Sequence, residues 1–440
     1  MLSTDAPIAV VAAEAISSRM AGPAIRAWEI ARVLTRIGNV ALVAPKVELS
    51  ATGVSAHTLG TPEARRALRR ARVVVGQGFN LRLMEIVRLS GALVVDAYDP
   101  LSIELLEHFR FAPADGWEQA KVEAIQRILL ARGDFFLCAS ERQRAFWLGA
   151  LLHQGRLTQA AYALDPSLRS LIDVVPFGIP DDPPQGRGPG LRALFPGIGP
   201  DDPVLLWNGG IWNWLDPVTA IRGVAEAVRT RPDLRLVFLG TRLPRSDARP
   251  SRAAEAALEA ATELGLLNRH VFFHPEWVPY EERASLLLDA TAGICLHLDT
   301  PEAALSFRTR LLDCLWTGLP ILCSAGDFFA DLVETHDLGR VVPSSAPEAV
   351  ARAMLDLASP QAQQRCRSAM ARVAGRFAWS QTTQPLARFC ERAMVTPPAR
   401  RRAWGPVAEF AAAMSLSSLR HSRWMRLPRY LRREIEALLR

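Results

Sequence analysis

The chain lacks the marks of several common classes. No window of its 440 residues approaches the roughly 18 uninterrupted apolar residues of a membrane span. The N-terminus, MLSTDAPIAVVAAEAI, has no basic n-region, and Glu14 interrupts its apolar run. It reads as a first strand and not as a signal peptide. The six cysteines are Cys138, Cys295, Cys314, Cys323, Cys366 and Cys390, and none forms a Cys-x-x-Cys pair. Structural zinc and a disulfide framework are therefore not expected; buried thiols in a reducing cytoplasm are. No G-x-G-x-x-G follows a strand, and Gly76-Gln-Gly78 alone is a weak signal, so a dinucleotide fingerprint is missing.

Net charge is also missing from most of the chain. Ten arginines (Arg400, Arg401, Arg402, Arg420, Arg423, Arg426, Arg429, Arg432, Arg433, Arg440) face three acids (Glu409, Glu434, Glu436) in residues 400–440. That excess equals the whole chain's +7, so residues 1–399 are balanced. A basic body for nucleic acid is excluded, and no nucleic-acid partner is expected. In the tail, Trp404, Phe410, Trp424 and several leucines interleave with the arginines. Such a pattern suits an anionic membrane surface, or equally a C-terminal extension packed on its own protein or a partner.

What is present is a 49% apolar chain in which short apolar runs alternate with helical periodicity. Residues 7–13, 40–44, 73–75, 93–95, 135–138 and 172–175 read as strands, and helices are expected near 24–37, 117–131 and after Ser140. Asp96, Tyr98 and Asp99 follow the strand at 93–95, where Asp-Pro turn chemistry and a functional role are both open. Residues 180–202 are dense in proline and glycine and form the best linker candidate. Beyond it the alternation restarts at 204–207, 234–239, 271–274, 292–297 and 320–323. The expected fold class is α/β, with two Rossmann-like doubly wound domains facing a cleft. Their expected ranges are 1–185 and 186–395, followed by a basic amphipathic tail, 396–440.

One stretch stands out, Ser306-Phe-Arg-Thr-Arg-Leu-Leu-Asp-Cys-Leu-Trp-Thr-Gly-Leu-Pro320. Phe307, Leu311, Leu312 and Leu315 recur at helical spacing, and Gly318 stops the helix before Pro320. A helix start that carries Arg308 and Arg310 suits an anionic group, above all a phosphate. An ordinary βαβ unit with surface arginines is the simpler alternative.

The motif order over about 200–345 is a Gly-Gly loop, Phe-Leu-Gly-Thr, Trp-Val-Pro-Tyr and a closing Gly-Leu-Pro. It resembles the nucleotide-sugar domain of GT-B fold glycosyltransferases of family 4, the retaining group 1 enzymes. Gly22-Pro-Ala-Ile-Arg26, Asp96–Pro100 and Val174-Val-Pro-Phe-Gly-Ile179 support the resemblance in the first half. By resemblance, Gly209 and Gly210 lie against the donor diphosphate, and Trp277 and Val278 against the base. The amides of Phe307, Arg308 and Thr309 bind phosphate or sugar, and Asp313 binds the ribose hydroxyls. The family's first Glu falls on Leu305, with Glu302 the nearest acid, and its usual Arg and Lys after the glycine turn are replaced by Trp212, Asn213 and Trp214. Arg308 and Arg310, with Arg242 a weaker candidate, are expected to supply the missing positive charge. The first domain also lacks the His common after the strand at 93–95; Tyr98 or Asp99 stands there.

The catalytic residues expected are thus Arg308, Asp99 and Glu302. Gly22, Arg26 and Tyr98 are expected to meet the acceptor. The implied reaction is transfer of a sugar from a nucleoside-diphosphate sugar to a hydroxyl or amine, with retention at the anomeric carbon. No metal and no further cofactor are expected. The acceptor is a glycan, a lipid-linked molecule or a small metabolite, and the protein is expected in the cytoplasm, with peripheral contact at the inner membrane face through 400–440. Two other functions fit the same fold: a nucleotide-sugar epimerase or phosphorylase-like enzyme, and a catalytically degenerate binding or assembly partner.

Overall fold

The computed structural model describes residues 6–77, 89–110, 117–241 and 251–398, together with 405 and 407. Its strands form two sheets, and all paired strands within them are parallel. The first contains β1 (Ile8–Val11), β2 (Val40–Ala44), β3 (Val54–Thr58), β4 (Val73–Gly76), β5 (Ala92–Asp96), β6 (Phe135–Cys138) and β7 (Ile172–Val174), in the order β3-β2-β1-β4-β5-β6-β7. The second contains β8 (Val204–Asn208), β9 (Arg235–Leu239), β10 (Val271–His274), β11 (Ala292–Cys295), β12 (Ile321–Ser324) and β13 (Gly339–Val342), in the order β10-β9-β8-β11-β12-β13. This is the doubly wound architecture that the alternation predicts. Strand β3 and the Pro62–Arg70 helix add to the elements named from sequence. The burial pattern of β3, with four of its five side chains not buried, explains why no apolar run announces it.

Strands in such sheets are covered on both faces, and that is why they read as unbroken apolar runs. In β1, Ile8 and Val10 enter one core cluster, while Ala9 and Val11 enter the cluster on the opposite face. The larger cluster continues from the first sheet through Phe177, Ile179, Phe377 and Trp379 into the second. The two lobes thus share apolar packing at their hinge side.

The stretch at 300–318 departs from expectation. Its helical spacing predicts one helix, but there are two short ones, Pro301–Leu305 and Arg310–Thr317. Thr300 caps the first by accepting from the Ala303 amide, and Pro301 sits in its first turn. Ser306 is extended (ψ 158°), so the chain turns before the second helix begins. Gly318 ends that second helix in the left-handed region at φ 69°, as its position before Leu-Pro predicts.

The chain end of the second lobe returns to the first. Ile179 and Trp379 bond through their backbones, with the Trp379 amide 3.0 Å from Ile179 O. Phe389 stacks on Phe135 at 4.6 Å between ring centres, and Arg72 donates to Met394 O at 2.6 Å. Among the described residues no helix is long and apolar enough to cross a membrane. The arginine-rich segment 400–440 lies outside the described residues apart from 405 and 407. Val407 is buried in the cluster beneath the first sheet.

At the hinge, the Trp379 indole lies so close to Gly178 that an added Cβ would come within 2.5 Å of Trp379 Cδ2. Gly178→Ala is expected to displace the indole and to cost about 1–3 kcal/mol, the usual range for overpacking. Chemical denaturation of the two proteins side by side measures it.

Candidate active site

In each sheet the strand order reverses once, between β1 and β4 in the first and between β8 and β11 in the second. Crevices at the carboxyl ends of strands beside such a reversal are where open parallel sheets take ligands. The loops after β8 and β11 carry Gly209–Gly210 and residues 296–309. The loop after β1 leads to Gly22, and β5 ends at Asp96. These loops meet. A Cβ placed on Gly22 would lie 3.7 Å from Thr309 Oγ1 and 3.9 Å from the Tyr98 hydroxyl oxygen. Gly22, Tyr98 and Thr309, assigned from sequence to opposite sides of a cleft, are thus adjacent.

The glycine turn is built around Arg310. Gly209 has φ 124°, a conformation that side chains disfavour, and a Cβ there would meet Arg310 Cζ at 3.8 Å. Arg310 donates to Gly210 O at 2.7 Å and lies 5.6 Å from the Trp207 ring centre. Asn208 donates back to Arg310 O at 3.0 Å. Arg310 has no carboxylate partner among the described residues; burial, the largest influence, lowers its pKa. Its Nη1 is buried without a hydrogen-bond partner. The amides of Phe307, Arg308 and Thr309 also find no acceptor among the described residues. A guanidinium without a counter-ion beside open amides at a helix N-terminus is an electropositive site suited to an anion.

Around this turn sit the tryptophans. Trp277 lies 3.6 Å from a Cβ built on Gly210 and 3.5 Å from one built on Gly240, so both glycines make room for the indole. Trp212 flanks Gly210 at 3.7 Å and stacks on Trp214 with planes 7° apart. Val278 is half-buried next to Trp277. Arg242 lies outside the described residues.

Arg308 and Glu302 are placed differently from expectation. Arg308 was expected to face an incoming phosphate and Glu302 to face the sugar, but their side chains bond each other, at 3.0 Å and 2.7 Å through both guanidinium nitrogens and both carboxylate oxygens. The pair spans the turn between the two short helices, and both residues are buried. Burial opposes the charge on Arg308, but Glu302 outweighs it and raises its pKa. Arg308 is therefore neutralised within the protein, and among the described residues Arg310 is the cation at the site left without a carboxylate.

The acceptor side holds a second group of acids. Asp99 and Glu104 are neighbours, with Glu302 and Arg308 as the nearby charged groups across the lobes. Burial pushes Asp99 up to about 6 and Glu104 well above the ordinary carboxylate range. The Asp99 carboxylate adds to the rise at Glu104, because two adjacent carboxylates resist ionising together. His297 and Asp327 lie behind the Arg308 pair, 3.7 Å apart and buried. Among the described residues no group of three or more His, Cys, Asp or Glu is placed to hold a metal ion.

Arg26 is also corrected. It was expected to meet the acceptor, but it is fully buried and bonded through two nitrogens to Asp96, at 2.7 Å and 2.9 Å. Its guanidinium also lies 4.7 Å from the Tyr98 ring centre. It has no surface to offer a ligand; it fixes the end of β5 and the Tyr98 ring.

Several residues at this site carried no role in the sequence reading. Gln143 accepts from Ala139 N and donates to Tyr98 O and Leu305 O, each at 2.7 Å, thereby riveting one lobe to the other. The signal for it was legible, since Ser140-Glu-Arg-Gln143 has capping-box spacing. Glu104 and Arg283 gave no comparable signal; an acid and an arginine on helix starts look like solvated charges.

These two facing parallel lobes form the GT-B fold of glycosyltransferases. No protein-family profile matches the sequence, and no curated protein is recognisably similar. Solved structures with the same architecture include a sucrose-phosphate synthase from Thermosynechococcus elongatus. It is 15% identical, with 88% of this chain and 99% of that one covered, at a TM-score of 0.61. The Anabaena protein HepE, in complex with UDP and glucose, is 14% identical over 87% of this chain and 99% of its own, at 0.60. WaaG, a glycosyltransferase involved in lipopolysaccharide biosynthesis, is 15% identical over 88% and 98%, at 0.56. At these identities the likeness is one of fold.

The buried Glu302–Arg308 pair yields a test independent of substrate. Glu302→Ala strands a buried guanidinium and is expected to cost about 3–5 kcal/mol, whereas Glu302→Ala with Arg308→Met should recover most of that loss. Equilibrium denaturation of the three proteins measures it.

Proposed function

We propose that the protein is a nucleotide-sugar-dependent glycosyltransferase of the family 4 type, acting with retention at the anomeric carbon. The observation that carries this reading is Arg310, a cation with no carboxylate partner among the described residues, set beside the open amides of 307–309 and the Gly209–Gly210 turn. A diphosphate provides the counter-ion this arrangement lacks. The solved HepE complexes with UDP and with UDP-glucose show a protein of the same fold holding such a ligand.

In this reading the donor diphosphate lies over Gly209 and Gly210, its base near Trp277 and Val278 and its ribose at Asp313. The anomeric C–O bond breaks, and its electron pair passes to the diphosphate. Arg310 and the amides of Phe307, Arg308 and Thr309 stabilise that charge as it develops, with no metal required. An acceptor hydroxyl or amine enters beside Gly22 and Tyr98 and bonds to the anomeric carbon on the face the diphosphate leaves. Asp99 takes the acceptor's proton. Arg310 thus assumes the leaving-group role expected of Arg308, and the Glu302–Arg308 pair shapes the turn that presents the amides. Glycans, lipid-linked molecules and small metabolites remain the acceptor classes, and a cytoplasmic location with peripheral membrane contact through 400–440 fits a lipid-linked one.

A thermal-shift screen with UDP-, GDP- and dTDP-sugars tests the donor. At least one should raise the melting temperature, and Arg310→Ala should weaken binding of that donor roughly 10- to 100-fold, the scale of one charge-assisted contact or two. No shift with any nucleotide sugar, or an Arg310→Ala variant that binds like wild type, rejects the reading.

The acceptor side has its own test. Asp99 must be ionised to act as a base, so kcat/KM should fall as pH drops through about 6. Asp99→Asn should lose this inflection together with most of the activity. A wild-type profile flat from pH 5 to 8 would remove Asp99 from the mechanism.

A further inference from the structure

Asp313 does not stand alone. Arg283 donates from Nε to Asp313 Oδ1 at 3.0 Å and from Nη1 to Tyr280 O at 2.6 Å. Its guanidinium lies 3.7 Å from the Tyr280 ring centre and 4.7 Å from that of Trp316. Tyr280 is itself anchored on the other lobe. Its amide donates to Ser18 O at 2.7 Å, and its hydroxyl donates to Glu29 at 3.2 Å. Burial raises the pKa of Glu29 and the Asp313 carboxylate helps to hold Arg283 charged against its own burial.

We infer that Arg283 is a positioning residue that fixes the Asp313 carboxylate for the hydroxyls of a donor ribose. The inference rests on the nucleotide-sugar reading of the site. An aspartate in the first turn of a helix is free to rotate about two side-chain bonds. Arg283 removes that freedom by holding Oδ1, and it turns Oδ2, to which it makes no bond, toward a hydroxyl donor. The planar guanidinium is held in turn by two aromatic faces and a carbonyl. A lysine has neither the plane nor the fork, so charge alone does not reproduce the arrangement. Arg283 does not touch the reacting atoms; it acts through Asp313.

The test uses the full chain and calorimetric binding of UDP, GDP and ADP, each compared with its 2′,3′-dideoxy counterpart. For the nucleotide that binds best, Arg283→Ala and Arg283→Lys should each weaken the ribonucleotide about tenfold and leave the dideoxy form within twofold of wild type. In an Asp313→Asn background, Arg283→Lys should cause no further loss. Equal weakening of both nucleotide forms would mean that Arg283 only supports the fold, and no weakening of either would mean that it does not position Asp313. Either result overturns the inference and leaves the donor reading standing. A wild-type chain that binds none of the three nucleotides overturns the inference and the donor reading together. Arg283→Lys keeps the charge, so it answers the question even where Arg283→Ala fails to fold.

Discussion

Parallel strand pairing is the constraint on which the rest of this structure depends. A parallel sheet gathers all its carboxyl strand ends on one edge, and reversing the strand order once leaves a crevice there. This chain does so twice, at β1/β4 and at β8/β11. Residues far apart in sequence, such as Gly22, Tyr98, Gly209 and Thr309, converge because each follows a strand beside or near one of those reversals. The shared apolar packing around Trp379 and the return of the final helices to the first sheet hold the two edges face to face.

Within that frame the arginines divide into two kinds. Arg26, Arg283 and Arg308 each meet a carboxylate, respectively Asp96, Asp313 and Glu302. Pairs of this sort, buried at Arg26 and Arg308 and half-buried at Arg283, add little net stability compared with apolar packing, but they fix geometry, since breaking a buried pair strands a charge. Arg26 sets the end of β5, Arg308 sets the turn between two short helices, and Arg283 sets the first turn of the helix that carries Asp313. Arg310 is different because it meets a carbonyl and an indole face, with no anion among the described residues. That unpaired charge is what the proposed function assigns to a diphosphate. On the facing lobe, Asp99 and Glu104 form the complementary acidic wall.

Much of this was legible from residue order. The strands showed as apolar runs because both sheet faces are covered, and Gly318 and Gly209 showed as positions that need a glycine backbone. Asp313 and the 307–309 segment drew attention through the family resemblance. The bend at Ser306 was not, because Phe307 continues the helical period of Leu311, Leu312 and Leu315 although its backbone lies outside the helix. Phe307 packs instead against Phe328 and Phe329 of another helix. Arg308 looked like the phosphate ligand for the same reason: sequence shows a charge but not its partner, and Glu302 six residues earlier comes within reach only through that bend. Arg26 was expected to meet the acceptor, and only the fold brings Asp96 to it across 70 residues.

The sequence by itself determined the α/β alternation that builds the two parallel sheets and the glycine turns that end its elements. Periodicity, capping residues and glycine placement are local, and each is written within a few residues. Only the tertiary structure decided which charges are spent and which remain. Partner choice is a matter of distance between segments remote in the chain, and that distance is set when the sheets stack and the lobes close. It therefore took the folded chain to show that Arg308 is already paired, that Arg310 meets no carboxylate among the described residues, and that Arg283 bonds Asp313.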